Sequence, residues 1–165
     1  MKKLISLCAV CLLVCSAMAQ DQNVNVVVIG GGSSSKGAYV DLGLPSGTLW
    51  KRQNEPGFYD YDEAFDRFGS ELPERHHFVE LQNECTWKWM SGYGYKVIGP
   101  NGNSITFPAK GYRYAGLMHE VHKGYYWSAT DAPNTCSLCA WYLEGEYMYN
   151  YGHKWHELSV RLIKY

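Results

Sequence analysis

Hydrophobic positions at the start of the chain form one short block. Leu4 to Val14 is almost unbroken apolar sequence and follows Lys2 and Lys3. Small residues then precede a cleavage position between Ala19 and Gln20. A positive start, an apolar run and a small-residue cleavage site are typical of a secretory signal. A membrane-spanning helix needs about 20 apolar residues. Because this run is shorter, the pattern predicts a cleavable signal over residues 1–19.

The signal and the segment after it each leave an alternative open. A lipoprotein signal is the second interpretation, because Cys15 follows the apolar run, although Val14 is larger than the residue that normally precedes a lipidated cysteine. Residues 20–37 predict an arm ahead of the domain. In this arm Val24 to Ile29 favours a strand, and Gly30 to Ser35 is typical of a flexible tether. The strand would pair with its own sheet or with another chain.

After the arm, the apolar spacing first indicates helices. Asp60 with Glu63 three residues later is typical of a helix start, and Gly69 is suited to end that helix. A second helix is predicted from Pro73, a residue favoured at the first helical position, with helical periodicity ending after Trp89. The apolar faces of the two helices are formed by Tyr61, Ala64, Phe65 and Phe68 in the first and by Phe78, Leu81 and Cys85 in the second.

Beyond Trp89 the pattern changes to short β-prone runs. Gly94 to Ile98 and Ser104 to Phe107 flank Asn101-Gly102, and Asn-Gly between such runs is a strong hairpin signal. Further short strands are predicted at Gly111–Arg113, Tyr125–Ser128, Ala140–Leu143, Tyr147–Tyr149 and Ser159–Ile163. Two early helices followed by a run of strands predict an α+β fold with short antiparallel strands and long loops.

Composition limits the compartment and the partners. The chain has six Cys, of which Cys85, Cys136 and Cys139 remain after removal of the signal. In an oxidising compartment they permit one disulfide, either between Cys136 and Cys139 or from this pair to Cys85. The 15 Lys and Arg nearly balance the 16 Asp and Glu, so the charge gives no reason to expect nucleic acid as a partner. After the signal, no apolar stretch is long enough to span a membrane.

Several landmarks occur in the order typical of one bacterial family. The first is Tyr39 to Trp50, which reads YVDLGLPSGTLW. The later ones are Glu80-Leu81, Cys85 to Trp89, Gly94 to Ser104, Phe107 to Arg113, Tyr126 to Thr130 and Ser159 to Leu162. Over residues 38–165 this order resembles the Fibrobacter succinogenes major paralogous (FISUMP) domain family. The chain departs from the family at Glu71 to Glu74, where Glu-Leu-Pro-Glu stands in place of the common Arg-Leu-Pro-Thr.

The resemblance implies a secreted or surface domain of a Bacteroidota-type bacterium with a fold similar to that of C-type lectins. It implies little about activity, because one fold hosts many functions. The expected organisation is a signal peptide over residues 1–19, an N-terminal strand and Gly/Ser linker over 20–37, and a FISUMP domain over 38–165.

Motifs for cofactors and catalysis are incomplete. The glycine run before Lys36 has Ser35 and Gly37 where a P-loop needs Gly and then Ser or Thr. The sugar-binding calcium signatures of C-type lectins, Glu-Pro-Asn and Trp-Asn-Asp, are absent. No nucleophilic elbow surrounds a serine. Three histidine pairs favour surface or packed side chains over zinc ligands: His76-His77, His119 with His122, and His153 with His156. We expect no cofactor, metal site or catalytic residue.

A late aromatic segment is the strongest candidate for ligand binding. Between Tyr147 and His156 the sequence is loop-like and rich in rings, which bind sugars and protein partners well. The candidate binding residues are Tyr147, Tyr149, Tyr151, His153 and Trp155. In contrast, the landmark tryptophans are expected to fill the core: Trp50, Trp87, Trp127 and Trp141.

Together these patterns predict an exported, non-enzymatic binding module that recognises a glycan or a protein. Its expected location is secreted, periplasmic or at the cell surface. The first alternative is an assembly subunit of a surface structure that donates the strand at Val24 to Ile29 to a neighbouring chain. An enzyme of unknown chemistry is the third possibility.

Overall fold

The structure, a computed structural model, describes residues 37–130, 140–144, 147–151 and 153–165. For 140–144 and 147–151 it describes the backbone. The chain divides into two units, Met1–Ser33 and Ser34–Tyr165, and every described residue belongs to the second. Three predictions lie outside the described residues: the signal with its cleavage site at Ala19 and Gln20, the strand at Val24 to Ile29 with its tether, and the pair Cys136 and Cys139.

Helices occupy the early part of the described chain and strands the rest. After β1 (Tyr39–Asp41) and β2 (Leu49–Lys51) come α1 (Tyr61–Phe68), a 3-10 turn (Gly69–Glu71) and α2 (Arg75–Glu84). The later strands are β3 (Thr86–Met90), β4 (Gly94–Ile98), β5 (Ser104–Pro108), β6 (Tyr112–Tyr114), β7 (Leu117–His119), β8 (Gly124–Trp127), β9 (Ala140–Glu144), β10 (Tyr147–Tyr151) and β11 (Ile163–Lys164). Mixed helix and sheet with short antiparallel strands confirms the α+β class. Within the described ranges, neither helix has the length and apolar content to cross a bilayer.

The described strands form small antiparallel sheets. The last strand, β11, pairs with β2 next to β1, so that Trp50 lies between Val40 and Ile163. β3, β4 and β5 form a second sheet, and β8, β9 and β10 a third. β6 and β7 pair only with each other among the named strands. Isolated β-bridges join the chain after β10 to earlier parts of the fold, and one of them pairs Tyr126 of β8 with Ser159.

Local sequence signals predicted α1 and the β4–β5 hairpin correctly. Asp60 is the N-cap of α1, and its Oδ1 accepts a hydrogen bond from the Glu63 amide at 2.8 Å. Gly69 ends the helix with a positive φ of 47°, which glycine adopts without strain. Gly102, in the Asn-Gly turn between β4 and β5, has φ of 84°. In each case a few neighbouring residues decide the backbone geometry.

The boundaries of α2 differ from the prediction at both ends. Pro73 lies ahead of the helix, because Glu74 is the N-cap and Arg75 the first helical residue. The helix ends at Glu84 rather than near Trp89, since Cys85 has an extended backbone and β3 begins directly after it. Pairing with β4 along all of β3 overrides the helical spacing of the apolar residues.

Two buried clusters form the core. In the first, Trp50 packs edge-on against Phe78 at 5.4 Å and Phe107 at 5.7 Å between ring centroids. In the second, Trp127 is fully buried and its indole N–H donates to the Tyr59 carbonyl at 2.7 Å. Among the remaining landmark tryptophans, Trp87 is partly buried against the first cluster, and the side chain of Trp141 lies outside the described atoms.

Candidate functional site

The β6–β7 hairpin presents one group of rings. Its strands are joined by a two-residue turn, Ala115-Gly116, in which both residues have positive φ. Such a turn matches the right-handed twist of the strands and brings them close together. The hairpin also exposes apolar side chains, with Leu117 66 % and Met118 44 % accessible.

The segment from His153 to Glu157 packs against this hairpin. Arg113 and Glu157 exchange two backbone hydrogen bonds, at 2.9 and 2.8 Å, and their side chains form an ion pair. The imidazole of His156 stacks on Tyr112 with a centroid distance of 4.4 Å, and His119 stacks on the same ring at 5.2 Å. Tyr112 is therefore held between two imidazoles, and this packing fixes the position of the segment on the hairpin.

A row of four rings runs from this junction to solvent. Trp155 lies 5.9 Å from His153, His153 lies 4.9 Å from His156, and His156 lies 5.0 Å from Tyr114. We call these four residues the ring row. At its two ends Trp155 is 62 % and Tyr114 45 % exposed, His153 is also exposed, and His156 is buried. The row thus includes the predicted binding residues His153 and Trp155.

The other predicted binding residues belong to a strand. Tyr147, Tyr149 and Tyr151 lie in β10, which pairs with β9 along its whole length. This confirms the strand predicted at Tyr147–Tyr149 and extends it to Tyr151, so the loop-like interpretation of Tyr147 to His156 does not apply to its first five residues. The alternating positions of the three tyrosines put them on one face of the strand. Their side chains are outside the described atoms, so their part in binding stays a prediction.

The sequence prediction did not include the hairpin part of the ring row. Tyr112 falls in the strand predicted at Gly111–Arg113, Tyr114 has no predicted role, and His119 is predicted with His122 as a surface or packed residue. The available signal was the alternation of Tyr112 and Tyr114 before Ala115-Gly116, with His119 on the other side of this turn. It is weaker than an Asn-Gly turn, because alanine rarely adopts positive φ.

The His156 imidazole of the ring row is neutral near neutral pH. Burial lowers the pKa of His156, and the neighbouring His153 and His119 lower it further. An imidazole edge can hydrogen-bond to a hydroxyl group, and in this row His153 is the exposed imidazole whereas His156 is buried. No group of three or more His, Cys, Asp or Glu able to hold a metal occurs among the described residues.

A polar pocket of about 560 Å³ is the second candidate site, after the ring row. It lies between the loop after β2 and the edge of β5, and its lining includes Arg52, Asn54, Tyr93, Thr106, Lys110 and Arg161. Within the described residues, neither Arg52 nor Lys110 forms a salt bridge. Nearby, Glu55 is ion-paired with Lys51.

Arg161 fixes the base of this pocket. Its Nε donates to Asn54 Oδ1, and one terminal nitrogen donates to the carbonyls of Lys51 and Arg52, each at 2.8 Å. The other terminal nitrogen donates to the Thr106 carbonyl at 2.5 Å. Burial lowers the pKa of Arg161 to about 10, so the side chain is still charged at neutral pH.

Two further residues of nucleophilic type, Ser46 and Cys85, lie in structural positions. Ser46 Oγ donates to a Glu80 carboxylate oxygen at 2.7 Å and lies 2.7 Å from the Thr48 hydroxyl, and this ties the Leu-Pro-Ser-Gly turn to α2. Cys85 is half-buried, and burial together with Glu80 and Glu84 raises the pKa of its thiol to about 11. A thiol with so high a pKa is a weak nucleophile at neutral pH.

His77 caps α2 and is not paired for metal binding. Its Nδ1 accepts a hydrogen bond from the Glu74 amide at 2.9 Å, and its Nε2 lies 2.6 Å from the Tyr165 hydroxyl. The neutral tautomer that fits both contacts carries its proton on Nε2. The ring is 2 % exposed, whereas that of His76, 3.9 Å away, is at the surface.

We expect the stability of the protein to fall as the pH drops below about 6.5, the ordinary pKa of histidine. Burial, and next the charge of His76, lower the pKa of His77 in the folded state, against the opposing effect of Glu74 and Glu80. Below pH 6.5 His77 binds a proton more readily in the unfolded chain than in the folded chain, so acid favours unfolding. Urea unfolding midpoints at pH 7.5 and pH 5.0 measure the loss.

His77→Gln is the matched variant for this prediction. Glutamine at the third helical position accepts the same N-cap hydrogen bond and does not titrate. The variant should keep most of the stability at pH 7.5 and lose less of it at pH 5.0, with the remaining slope due to His156, whose pKa is also lowered. An unchanged pH dependence in the variant would show that His77 does not contribute.

Comparisons with known proteins identified no relative: no family model, no curated protein and no solved structure matches this chain.

Proposed function

We propose that this chain is an exported, non-enzymatic binding module of the FISUMP type with a C-type-lectin-like fold. Its role is to recognise a glycan, or failing that a protein, at the cell surface or outside the cell. The fold assignment is supported by the first and last described strands, β1 and β11, which both pair with β2, and by the two helices that precede the other strands. The export assignment rests on the sequence pattern of residues 1–19.

The ring row is the observation that carries the binding function. Successive rings from Trp155 to Tyr114 are spaced 4.9 to 5.9 Å apart, which resembles the contact distance between packed rings. A 62 % exposed tryptophan costs solvation free energy unless a ligand covers it. Apolar ring faces beside hydrogen-bonding imidazole edges match a sugar, which has C–H faces and hydroxyl edges. A glycan is therefore the favoured ligand.

The hairpin end of the ring row is held in place before a ligand arrives. The stack of His119, Tyr112 and His156 and the backbone bonds between Arg113 and Glu157 fix this end on the hairpin. At this end, binding then costs less conformational entropy, which raises affinity for a given contact area.

The non-enzymatic assignment is supported by the positions of three groups whose pKa is shifted. Arg161 and Tyr126 are buried, and each is occupied by hydrogen bonds to main-chain carbonyls, at Thr106 and Pro108 respectively. His77 is occupied by its capping bond to Glu74. Groups held in this way position the fold and are poor candidates for proton transfer to a substrate.

The test is a binding screen followed by one tryptophan substitution. The exported chain is screened against a glycan array and a panel of bacterial surface proteins, with and without a calcium chelator. Trp155→Ala should weaken binding of the identified glycan about 30-fold, the effect of removing an aromatic side chain worth about 2 kcal/mol. The chelator should have no effect, because the proposed contacts involve rings and no metal.

Trp89→Ala is the matched control, since Trp89 is also a surface tryptophan, 42 % exposed, on β3. It should leave affinity unchanged. Equal affinity of the Trp155→Ala variant and the parent would remove the ring row as the site. If no glycan binds but the chain self-associates, and deletion of residues 20–37 abolishes the association, the assembly-subunit alternative replaces this proposal.

A further inference from the structure

The polar pocket has an excess of positive charge. Arg52, Lys110 and Arg161 contribute three cationic groups to its lining, and Glu55 contributes one carboxylate. That carboxylate is already in an ion pair with Lys51. An anion entering the pocket therefore meets Arg52 and Lys110, neither of which forms an ion pair with a described carboxylate.

Arg161, at the base of the pocket, adds to its positive electrostatic potential. Its donors are taken by neutral groups, the carbonyls of Lys51, Arg52 and Thr106 and the amide of Asn54. Neutral oxygens satisfy the hydrogen bonds of a guanidinium but leave its net charge in place. Because the group is only 1 % exposed, water screens that charge weakly. A charge focused in a cleft attracts ions of opposite sign.

The rest of the lining suits a sugar. Gln53, Asn54, Ser104 and Thr106 offer amides and hydroxyls, and Tyr93 adds a ring that is 55 % exposed. The volume, about 560 Å³, is within the range of small-ligand pockets. Hydroxyl-rich surroundings with one ring fit a saccharide better than a lone inorganic ion, which would need neither the ring nor the volume.

We propose that the polar pocket is a second binding site, which takes the carboxylate of an acidic sugar such as a hexuronic acid. Arg52 and Lys110 hold the carboxylate at the rim, Arg161 holds the base of the pocket in place and adds its charge, and Tyr93 packs against the sugar ring. The site is separate from the ring row in its residues, so it stands or falls independently of the function proposed above.

The base of the pocket is rigid enough for such recognition. Asn54 accepts from Arg161 Nε at 2.8 Å, and the Tyr126 hydroxyl donates to the Pro108 carbonyl at 2.6 Å. These bonds tie the loop after β2 to β5, the two sides of the pocket. Arg52 and Lys110 lie at its rim, with Arg52 partly accessible and Lys110 exposed, so replacing them should not disturb the bonds below.

Calorimetry with tri-galacturonate and with its fully methyl-esterified form tests the proposal, because esterification removes the charge of each carboxylate and adds only a methyl group. The parent should bind the acid form at least tenfold more tightly than the ester, and the affinity should fall as salt rises. Arg52→Ala and Lys110→Ala should each weaken binding of the acid form about tenfold, the effect of losing one charge-assisted hydrogen bond. The double variant should be weaker than either.

Lys96→Ala is the control, since Lys96 is an exposed lysine on β4 outside the pocket lining. It should bind tri-galacturonate as the parent does. Thermal unfolding of each variant confirms that the fold is intact. Equal affinity for acid and ester, no binding of either, or an unchanged double variant would each overturn the proposal. So would inorganic sulfate binding as tightly as tri-galacturonate, because the pocket would then select a small anion and not a sugar.

Discussion

Replacing Arg161 with methionine should lower the free energy of unfolding by about 4 kcal/mol. The guanidinium joins carbonyls from residues 55 to 110 positions away in the sequence, at Thr106, Arg52 and Lys51. Methionine fills a similar volume but donates no hydrogen bond, so these acceptors would lose their partner at about 1 to 3 kcal/mol each. Water entering through the polar pocket would offset part of that loss. Urea unfolding measures the difference.

Two further variants show whether hydrogen bonding is the cause. Arg161→Lys keeps the charge with fewer donors in another geometry, so it should lose about half as much stability as the methionine variant. Arg113→Met removes a surface arginine, 43 % exposed, and its ion pair with Glu157; it should cost about 1 kcal/mol or less. If the Arg161 and Arg113 variants are equally stable, the buried network does not hold the fold together.

Substituting Gly111 with alanine should cost about 3 kcal/mol or more, the second-largest effect. Gly111 has φ of 70°, and a Cβ there would lie 2.0 Å from the His119 carbonyl oxygen. Its amide also donates to the Lys123 carbonyl at 2.7 Å, so the chain cannot move away without losing a hydrogen bond. Thermal unfolding of the variant measures the cost.

Gly116→Ala in the same hairpin separates the two causes of that cost. Gly116 has a similar φ of 78°, but nothing lies within 4 Å of a Cβ built there. Its substitution should therefore cost only the backbone strain, about 1 to 2 kcal/mol. Because Gly111 lies against β7, its variant should also disturb the stack of Tyr112 and His119 and weaken ligand binding. Equal losses in the two variants would show that crowding at Gly111 is unimportant.

Local patterns predicted those parts of the fold that local contacts hold. The Asp60 cap bonds to an amide three residues away, and the turn at Asn101-Gly102 joins adjacent strands. For such elements the residues that decide the geometry are neighbours in the sequence. The α+β class follows from the same kind of signal summed along the chain.

The errors fall where a distant partner decides the structure. The stretch after Cys85 kept a helical spacing of apolar residues, but pairing with β4 makes it strand β3. The strand predicted at Tyr147–Tyr149 is present, and pairing with β9 extends it to Tyr151, into the part interpreted as a loop. At β3 the backbone hydrogen bonds offered by a neighbouring strand outweigh the local preference of the residues.

The candidate sites show the same division. The sequence by itself pointed to His153 and Trp155 as a binding surface, and it predicted the class of fold and an export signal, because ring composition, turn residues and an apolar run are local features. Only the tertiary structure brought Tyr114 to the ring row, through contacts such as that between Arg113 and Glu157, 44 positions apart. It alone assembled the polar pocket around Arg161. The physical reason is that these sites consist of long-range contacts, and the order of residues in the chain does not state which distant groups will meet.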